Sequence, residues 1–254
     1  MLENSIIKHL NKLQQKKFRK EEKEFVVEGI KGVVDALNSE MEVILVVVDG
    51  KLRDEKEFEK IITKAEKKDV QVAFCGRNDI EKIKTTETFP GVLAVIVQTE
   101  ILSDQIADGP IICLDAVKDP GNLGTIIRTA DWFGFKNILL SEDTVDVYNP
   151  KTVRSTMGSI FHLNIAKTGN LLKTLEKLKK EYEYKIYSLD LKGENHKNLK
   201  PEERAIYIFG SESQGTRPEL EKIVDKSYSI AGHGQAESLN VAISAAVIMD
   251  RLSS

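Results

Sequence analysis

Residues 114–128 read Leu-Asp-Ala-Val-Lys-Asp-Pro-Gly-Asn-Leu-Gly-Thr-Ile-Ile-Arg and carry the clearest fold signal of the chain. A predicted strand over 111–117 leads into Asp119-Pro120-Gly121, which is a turn signal, and a helix is predicted over 123–133. Asn122 is expected to cap that helix, and Gly124 lets another backbone approach it closely. A strand, a polar turn and a helix in this order are typical of α/β folds that bind ligands where strands end.

The same segment supplies a possible anion site. Arg128 follows Asn122 by six residues, under two helical turns, so we expect both to face the same sheet edge. A phosphate or ribose at this helix start would meet free backbone N–H groups and a guanidinium. A capped helix with a solvated Arg128 is the alternative. A nucleotide-binding oxidoreductase would need a glycine fingerprint with an acid about 20 residues later, and the sequence contains none.

Strand and helix patterns alternate on both sides of this segment and predict two α/β domains. Upstream, helices are predicted over 25–37, 57–68 and 78–84, with strands over 43–48, 70–74 and 92–97. Downstream, strands are predicted over 137–141, 185–191, 205–209 and 227–230, with helices over 153–157, 171–181, 218–224 and 241–252. The polar, turn-rich residues 100–109 are interpreted as a linker. The predicted domains are therefore 1–100 and 109–254.

Composition excludes several classes of protein. The 254 residues contain 37 Lys+Arg and 40 Asp+Glu, so the net charge of -3 does not by itself indicate a nucleic-acid binder. Apolar runs are strand-sized, whereas a membrane span needs about 20 residues. No signal-peptide pattern is present, and Cys75 and Cys113 belong to no metal-ligand cluster. We therefore expect a cytoplasmic protein with reduced thiols, no membrane contact and no metal.

The beginning of the chain carries an uneven charge. Residues 8–20 contain no acid but six cations: Lys8, Lys12, Lys16, Lys17, Arg19 and Lys20. Helical spacing places Lys8, Lys12, Lys16 and Arg19 near one face. Two interpretations stay open, a helix that contacts phosphates and an ordinary solvated face.

Two further segments follow predicted strands. Residues 210–215 read Gly-Ser-Glu-Ser-Gln-Gly, and Glu212 could anchor a cation such as Arg128. Residues 238–241 read Ser-Leu-Asn-Val, follow a glycine-rich loop over 230–234 and open a helix rich in small residues. Taken alone, the first could be a polar turn and the second an ordinary helix capped by Ser238 or Asn240.

Together the three segments resemble the signature motifs of the SpoU/TrmH-type 2'-O-ribose RNA methyltransferases, within the SPOUT superfamily. The first motif, N-x-G-x-x-x-R, matches Asn122, Gly124 and Arg128. The second, G-x-E-x-x-G, matches residues 210–215, and the third, S-L-N-V, matches 238–241. The similarity covers the second domain. Residues 7–29 look, more loosely, like the substrate-binding domain similar to ribosomal protein L30e that precedes many members.

The resemblance implies an α/β protein in which an L30e-like domain precedes a parallel-sheet SPOUT catalytic domain with a C-terminal trefoil knot. It implies S-adenosylmethionine as the cofactor, contacted by Gly210, Ile230 and Leu239, and a homodimer through the C-terminal helix over 241–252. The implied catalytic set is Asn122, Arg128, Glu212, Ser238 and Asn240. RNA contacts are expected at Lys8, Lys12, Lys16, Arg19 and Arg154. One departure is Ile230-Ala231-Gly232, where the family usually has Ile-Pro-Met, and this predicts a looser, shallower cofactor loop.

The expected activity is therefore S-adenosylmethionine-dependent methylation of an RNA ribose 2'-hydroxyl, on ribosomal RNA. Methylation of tRNA, and a non-catalytic RNA-binding or ribosome-assembly protein, are the alternatives. In this family the arginine of the first motif, which matches Arg128 here, is usually given the role of removing the hydroxyl proton. Because a guanidinium has a pKa above 12, Arg128 could instead orient the phosphate and hydroxyl.

Overall fold

The computed structural model describes residues 2–85, 87–211 and 215–253. The chain divides into two compact units. The first comprises the chain up to Thr99 together with Asp146–Phe161, and the second comprises Glu100–Val145 and the chain from His162 onward. Both units combine helices with one β-sheet, as the alternating sequence patterns predict.

The sheet of the first unit has the strand order β1-β4-β2-β3. Strands β2 and β3 are parallel, whereas β4 runs antiparallel to both β1 and β2. The elements are α1 Asn4–Leu13, α2 Lys16–Glu22, β1 Glu24–Glu28, α3 Ile30–Asn38, β2 Val43–Asp49, α4 Lys56–Lys67, β3 Gln71–Cys75, α5 Arg77–Ile83 and β4 Val92–Val97.

The prediction of one helix over 25–37 is wrong. Residues Glu24–Glu28 form strand β1, which pairs with β4 residue by residue, and helix α3 begins only at Ile30. Between them Gly29 has φ +92°, a left-handed conformation that glycine adopts without strain. Phe25, Val26 and Val27 are three consecutive residues and all are buried. Their pairing with β4 therefore determines the structure here, rather than the helical spacing of apolar residues.

The segment Asp146–Phe161 belongs to the first unit although it lies between two strands of the second. It contains helix α7, Pro150–Thr156. The fully buried ring of Phe25 lies 4.5 Å from that of Tyr148 and 6.3 Å from that of Phe161, measured between centroids. These aromatic contacts attach both ends of the segment to the first unit. The sequence patterns instead predict that these residues belong to the domain 109–254.

The second unit is built on six strands in the order β10-β8-β9-β5-β6-β7, and all neighbouring pairs are parallel. Strands β5, β6 and β9 are buried along their whole length, as expected of an apolar parallel sheet covered on both faces. The elements are β5 Ile111–Leu114, α6 Pro120–Trp132, β6 Asn137–Leu140, β7 Asn164–Lys167, α8 Leu171–Tyr182, β8 Lys185–Asn195, β9 Ala205–Phe209, α9 Pro218–Glu221, β10 Lys226–Ser229 and α10 Val241–Leu252.

Two features of this unit were missed by the sequence patterns. Strand β7 is short and only one of its four residues is buried, so its apolar pattern is weak. Residues 100–109 are not a free linker, because Ser103–Ile106 form a 3-10 turn whose Ile106 is fully buried in the core of the second unit. The sheet architecture confirms the predicted α/β class, and the trefoil knot stays a prediction.

Within residues 2–85, 87–211 and 215–253, no helix has the length and apolar character needed to cross a membrane. Both cysteines are free and buried. Burial is the main cause that raises the pKa of the Cys75 thiol to about 12, and it raises the pKa of Cys113 as well. Both thiols are therefore protonated and unreactive at neutral pH.

Candidate active site

The three predicted motifs follow three strands of the parallel sheet. The first motif follows β5, Gly210 follows β9 directly, and Ile230 follows β10 directly. Because all six strands are parallel, their carboxyl ends lie at one edge of the sheet. The structure thus confirms that the motifs lie where open α/β sheets bind ligands.

The first motif forms the start of helix α6. The N-cap is Asp119 rather than Asn122, because an Asp119 carboxylate oxygen accepts a hydrogen bond from the Asn122 backbone N–H at 2.8 Å. Pro120 occupies the first helical position, where its missing N–H costs nothing. The Asn122 side chain instead points across to the third motif, and its Oδ1 accepts a hydrogen bond from Asn240 Nδ2 at 3.0 Å.

The third motif ends in the cap of helix α10. Asn240 is the N-cap, and its Oδ1 accepts a hydrogen bond from the Ala242 backbone N–H at 2.8 Å. The two ends of the Asn240 amide therefore cap α10 and bind Asn122. Helix α10 packs along α6, and Ser253 Oγ donates to the Phe133 carbonyl at 3.3 Å where both helices end. The two helices thus run parallel and both start at the carboxyl edge of the sheet.

Arg128 is not part of this contact. Its side chain is exposed, and it forms no hydrogen bond or ion pair with any other residue that the structure describes. Six residues of helix separate it from Asn122 by about 120° around the axis, so the two side chains do not face the same direction. The structure therefore joins Asn122 and Asn240 and leaves the guanidinium of Arg128, with its five donors, open to a ligand.

The second motif begins with a very close backbone approach. A Cβ atom at Gly210 would collide with the carbonyl oxygen of Gly215, so no side chain fits at this position. The Gly215 N–H donates to the Ser211 carbonyl at 3.0 Å, and Gly215 has φ +67°. Glu212 lies outside the described residues, and its predicted role in holding Arg128 stays a prediction.

The loop before α10 is exposed along residues 231–240, which include Ser238, and Leu239 is 47% exposed. Ile230 at its beginning is partly buried beside the end of β10. An apolar side chain as exposed as Leu239 gains contact area when a ligand covers it. The shallower cofactor loop expected from Ala231 and Gly232 stays a prediction.

Sequence patterns missed a buried ion pair at the same edge. Asp115, the residue after β5, is only 1% exposed, and both its carboxylate oxygens lie 2.9 Å from Arg217 Nε. Arg217 Nη2 also binds this carboxylate, and the hydrogen bonding raises the pKa of the guanidinium. The sequence does show an acid after an apolar strand and an Arg two residues after the second motif. No local pattern indicates that these two residues, 102 positions apart, form an ion pair.

The predicted RNA contacts in the first unit have different environments. Lys8 and Lys12 on α1 and Lys16 on α2 are exposed. The two helices are separated by Gln14 and Gln15, so the basic residues do not share one helix face.

Arg19, a predicted RNA contact, is buried and paired within the first unit, which the basic helix face did not predict. It is 2% exposed, its Nη2 lies 2.6 Å from Asp146 Oδ2, and its Nη1 donates to the carbonyls of Leu13 and Gln14 at 2.9 Å each. Its charge and most of its donors are used to join the end of α1 to the segment Asp146–Phe161.

Arg154 in that segment is partly buried rather than free at the surface. Its Nη1 donates to Thr85 Oγ1 at 3.1 Å, and the Thr85 hydroxyl in turn donates to Glu28 Oε1 at 2.6 Å. Part of its hydrogen-bonding capacity is therefore used within the first unit, and its role as an RNA contact stays a prediction.

One buried polar group beside the second motif has no partner among the residues that the structure describes. No group of three or more His, Cys, Asp or Glu that could hold a metal ion occurs in the described parts of the chain. The Thr216 hydroxyl, beside the second motif, is buried and has no hydrogen-bond partner among the described atoms. Gly210 and Leu239 lie on segments that follow β9 and β10 at this edge, and Leu239 is the exposed one of the two.

Two family models match the chain. The model of the SpoU rRNA Methylase family matches residues 109–250, and that of the MRM3-like substrate binding domain matches residues 4–94. The chain is also 33% identical over 251 residues to the 23S rRNA (guanosine(2553)-2'-O)-methyltransferase RlmP of Bacillus subtilis, covering 98% of this chain and 96% of that protein.

Two solved structures share the fold along nearly the whole chain. A putative RNA methyltransferase of the TrmH family from Porphyromonas gingivalis is 30% identical with a TM-score of 0.84, covering 99% of this chain and 98% of that one. An AdoMet-bound rRNA methyltransferase from Sinorhizobium meliloti is 28% identical with a TM-score of 0.86, covering 99% and 95%.

Proposed function

The chain belongs to the SpoU rRNA methylase family, and we propose that it transfers a methyl group from S-adenosylmethionine to a ribose 2'-hydroxyl of 23S ribosomal RNA. The observation that carries the proposal is the hydrogen bond between Asn122 and Asn240. It joins the first and third motifs at the carboxyl edge of the sheet, on the helix that presents an exposed Arg128.

The residues at this edge fit S-adenosylmethionine. We assign its contacts to Gly210, Ile230 and Leu239, as the resemblance implies. Gly210 offers bare backbone, because its Cβ position is filled by the carbonyl of Gly215. The buried hydroxyl of Thr216, which has no hydrogen-bond partner among the described atoms, is a further donor and acceptor in the same segment. When bound, the cofactor supplies a methyl group on a positively charged sulfur, which an oxygen nucleophile can attack.

The chain's own residues must bind the RNA and prepare its 2'-hydroxyl. Arg128 is the cation for this role, since its guanidinium is exposed on α6. Because a guanidinium stays protonated at neutral pH, we assign Arg128 to binding the neighbouring phosphate and orienting the hydroxyl. Correct positioning alone can supply on the order of 7 kcal/mol of the barrier.

Asn122 and Asn240 fix the frame in which Arg128 works. Their hydrogen bond joins the starts of α6 and α10, which also pack along each other, so it ties the Arg128 helix to the third motif. Ser238 and Leu239 immediately precede this contact in the exposed loop. We assign Ser238 to the substrate side of that loop and Glu212 to holding Arg128.

The first unit supplies RNA affinity in this proposal. Its exposed Lys8, Lys12 and Lys16 are placed for phosphates, and the family model of a substrate binding domain matches this part of the chain. The preference for ribosomal RNA is supported by two relatives that are named as 23S rRNA methyltransferases. Residues 1–100 and 109–254 are accordingly proposed as the substrate-binding and catalytic domains of a cytoplasmic enzyme.

A homodimer and a trefoil knot complete the proposal. Two large apolar side chains of these helices are exposed and support the dimer, Ile243 near the start of α10 by 53% and Trp132 at the end of α6 by 85%. A second copy of the same surface, related by a two-fold axis, would cover them.

The substrate is tested by incubating the purified protein with methyl-labelled S-adenosylmethionine and total RNA from cells that lack the modification. The RNA is then separated by size. We expect the label in 23S rRNA. Label in tRNA would preserve the chemistry and overturn the substrate, whereas RNA binding without label would favour a non-catalytic RNA-binding or ribosome-assembly protein.

A further inference from the structure

The two described ends of the second motif are both bonded to Asp115, the residue that directly follows the neighbouring strand β5. Just before the motif, the Phe209 carbonyl accepts a hydrogen bond from the Asp115 backbone N–H at 2.9 Å. Just after it, Arg217 Nε lies 2.9 Å from both oxygens of the Asp115 carboxylate. Asp115 thus holds the motif where it leaves β9 and again where it leads into α9.

We infer that Asp115 and Arg217 are positioning residues that set the affinity for S-adenosylmethionine by fixing the backbone at Gly210 and Gly215. This inference rests on the proposed function, because it concerns the cofactor contact assigned to Gly210. Neither residue needs to touch the cofactor or the RNA for this role.

The close approach at Gly210 shows why the ion pair matters. The carbonyl of Gly215 occupies the position of a Gly210 Cβ, and this contact survives only while both ends of the motif stay close together. Gly215 is separated from Arg217 by Thr216 alone. A shift of Arg217 therefore moves Gly215 and the buried Thr216 hydroxyl directly.

The charge of the pair also favours a fixed position. Asp115 is 1% exposed, so its carboxylate has little access to water and depends on Arg217 as its counter-charge. Arg217 is 29% exposed and has weaker second partners, since its Nη1 lies 3.5 Å from Asp143 and 3.7 Å from Glu219. The bidentate geometry with Asp115 fixes the direction of the guanidinium, which a lysine ammonium could do only in part.

The test compares Arg217→Gln with Arg217→Lys in the full-length protein, measuring S-adenosylmethionine binding by calorimetry and methyl transfer at varied cofactor concentration. For Arg217→Gln we expect Kd and KM for the cofactor to rise about tenfold or more, with kcat at saturation within about threefold. Arg217→Lys should recover part of the loss. Arg204→Gln, an exposed arginine in the same unit, is the matched control and should leave Kd unchanged.

If the ion pair only stabilised the fold, Arg217→Gln would lower the thermal midpoint without raising KM for the cofactor at nearly unchanged kcat. If Arg217→Gln does not fold, the double variant Asp115→Asn with Arg217→Gln removes the unpaired buried charge and replaces the ion pair with neutral hydrogen-bonding groups. Wild-type cofactor affinity in any folded variant that lacks the ion pair would overturn the inference. Absence of cofactor binding in the wild type would overturn the proposed function, and the inference with it.

Discussion

The amide nitrogen of Asn240 donates a hydrogen bond to Oδ1 of Asn122, 3.0 Å away and 118 positions earlier in the chain. This contact joins the starts of α6 and α10, which pack side by side from the carboxyl edge of the parallel sheet. Arg128, proposed to bind the RNA, lies on α6, and the proposed cofactor loop leads directly into α10. The contact thus connects the proposed RNA-binding residue with the proposed cofactor-binding loop. Its loss should therefore slow methyl transfer even where the fold survives.

Replacement of Asn240 separates its two functions. Asn240→Ala removes both the helix cap and the bond to Asn122, so we expect a loss of about 1 kcal/mol in the free energy of unfolding together with lower turnover. Asn240→Asp keeps the acceptor that caps α10 but loses the donor to Asn122. Its free energy of unfolding should lie within about 0.5 kcal/mol of the wild-type value, and its kcat should still be about tenfold lower. Wild-type turnover in a stable Asn240→Asp protein would show that the contact is dispensable.

Replacement of Arg128 tests the substrate side of the site. Arg128→Ala should reduce kcat by about a thousandfold or more, because no other cation is assigned to the 2'-hydroxyl. Cofactor Kd, measured by calorimetry, should stay within about threefold, since Arg128 is exposed and contacts none of the described cofactor residues. Arg128→Lys keeps the charge without the planar fork and should be intermediate. Near-normal turnover of Arg128→Ala would remove this residue from the mechanism.

The exposed lysines of the first unit should contribute to RNA affinity through phosphates. Replacing Lys8, Lys12 and Lys16 with Gln should weaken RNA binding and make its dependence on salt shallower, by about 0.7 to 0.9 logarithmic units per lost contact. The control replaces Lys56, Lys60 and Lys67, which are also exposed, on α4 of the same unit. An unchanged salt slope in the first variant, or an equal change in the control, would count against this surface.

Arg19 should affect stability rather than bind RNA directly. Its guanidinium is buried against Asp146, so Arg19→Gln leaves a carboxylate without its counter-charge and should reduce the free energy of unfolding by about 3 kcal/mol. Lys20→Gln, at the exposed neighbouring position, should change it by no more than about 0.5 kcal/mol. Urea unfolding of the full-length variants measures both. Unchanged stability with a clear loss of RNA affinity would restore Arg19 as an RNA contact.

Local patterns predicted the elements whose burial is evident along the chain. The β-branched and apolar runs of β2, β4 and β9 are buried almost throughout, and the apolar spacing of Phe58, Ile61 and Ala65 gave helix α4. The apolar spacing of the β1 residues also fits a helix, and only their pairing with β4 distinguishes the two structures. The three motifs located the carboxyl edge correctly for the same reason, since each follows an apolar strand.

Contacts between distant residues were beyond the reach of sequence patterns. Arg19 has the same charge as the lysines around it, and what buries it is Asp146, 127 positions away. Asp115 and Arg217 likewise have no local feature that pairs them. Asn122 was interpreted as a helix cap because its residue type suits one, but Asp119 takes that place and leaves the Asn122 side chain available to Asn240.

Alkaline hydrolysis of the product determines whether the methyl group lies on the ribose 2'-oxygen or on a base. Labelled 23S rRNA from the wild-type reaction is hydrolysed in alkali, which cleaves RNA only where a free 2'-hydroxyl is present. We predict label in alkali-resistant dinucleotides, and no such label when Arg128→Ala replaces the wild type. Label released as methylated mononucleotides would place the methyl group on a base and contradict the proposed function.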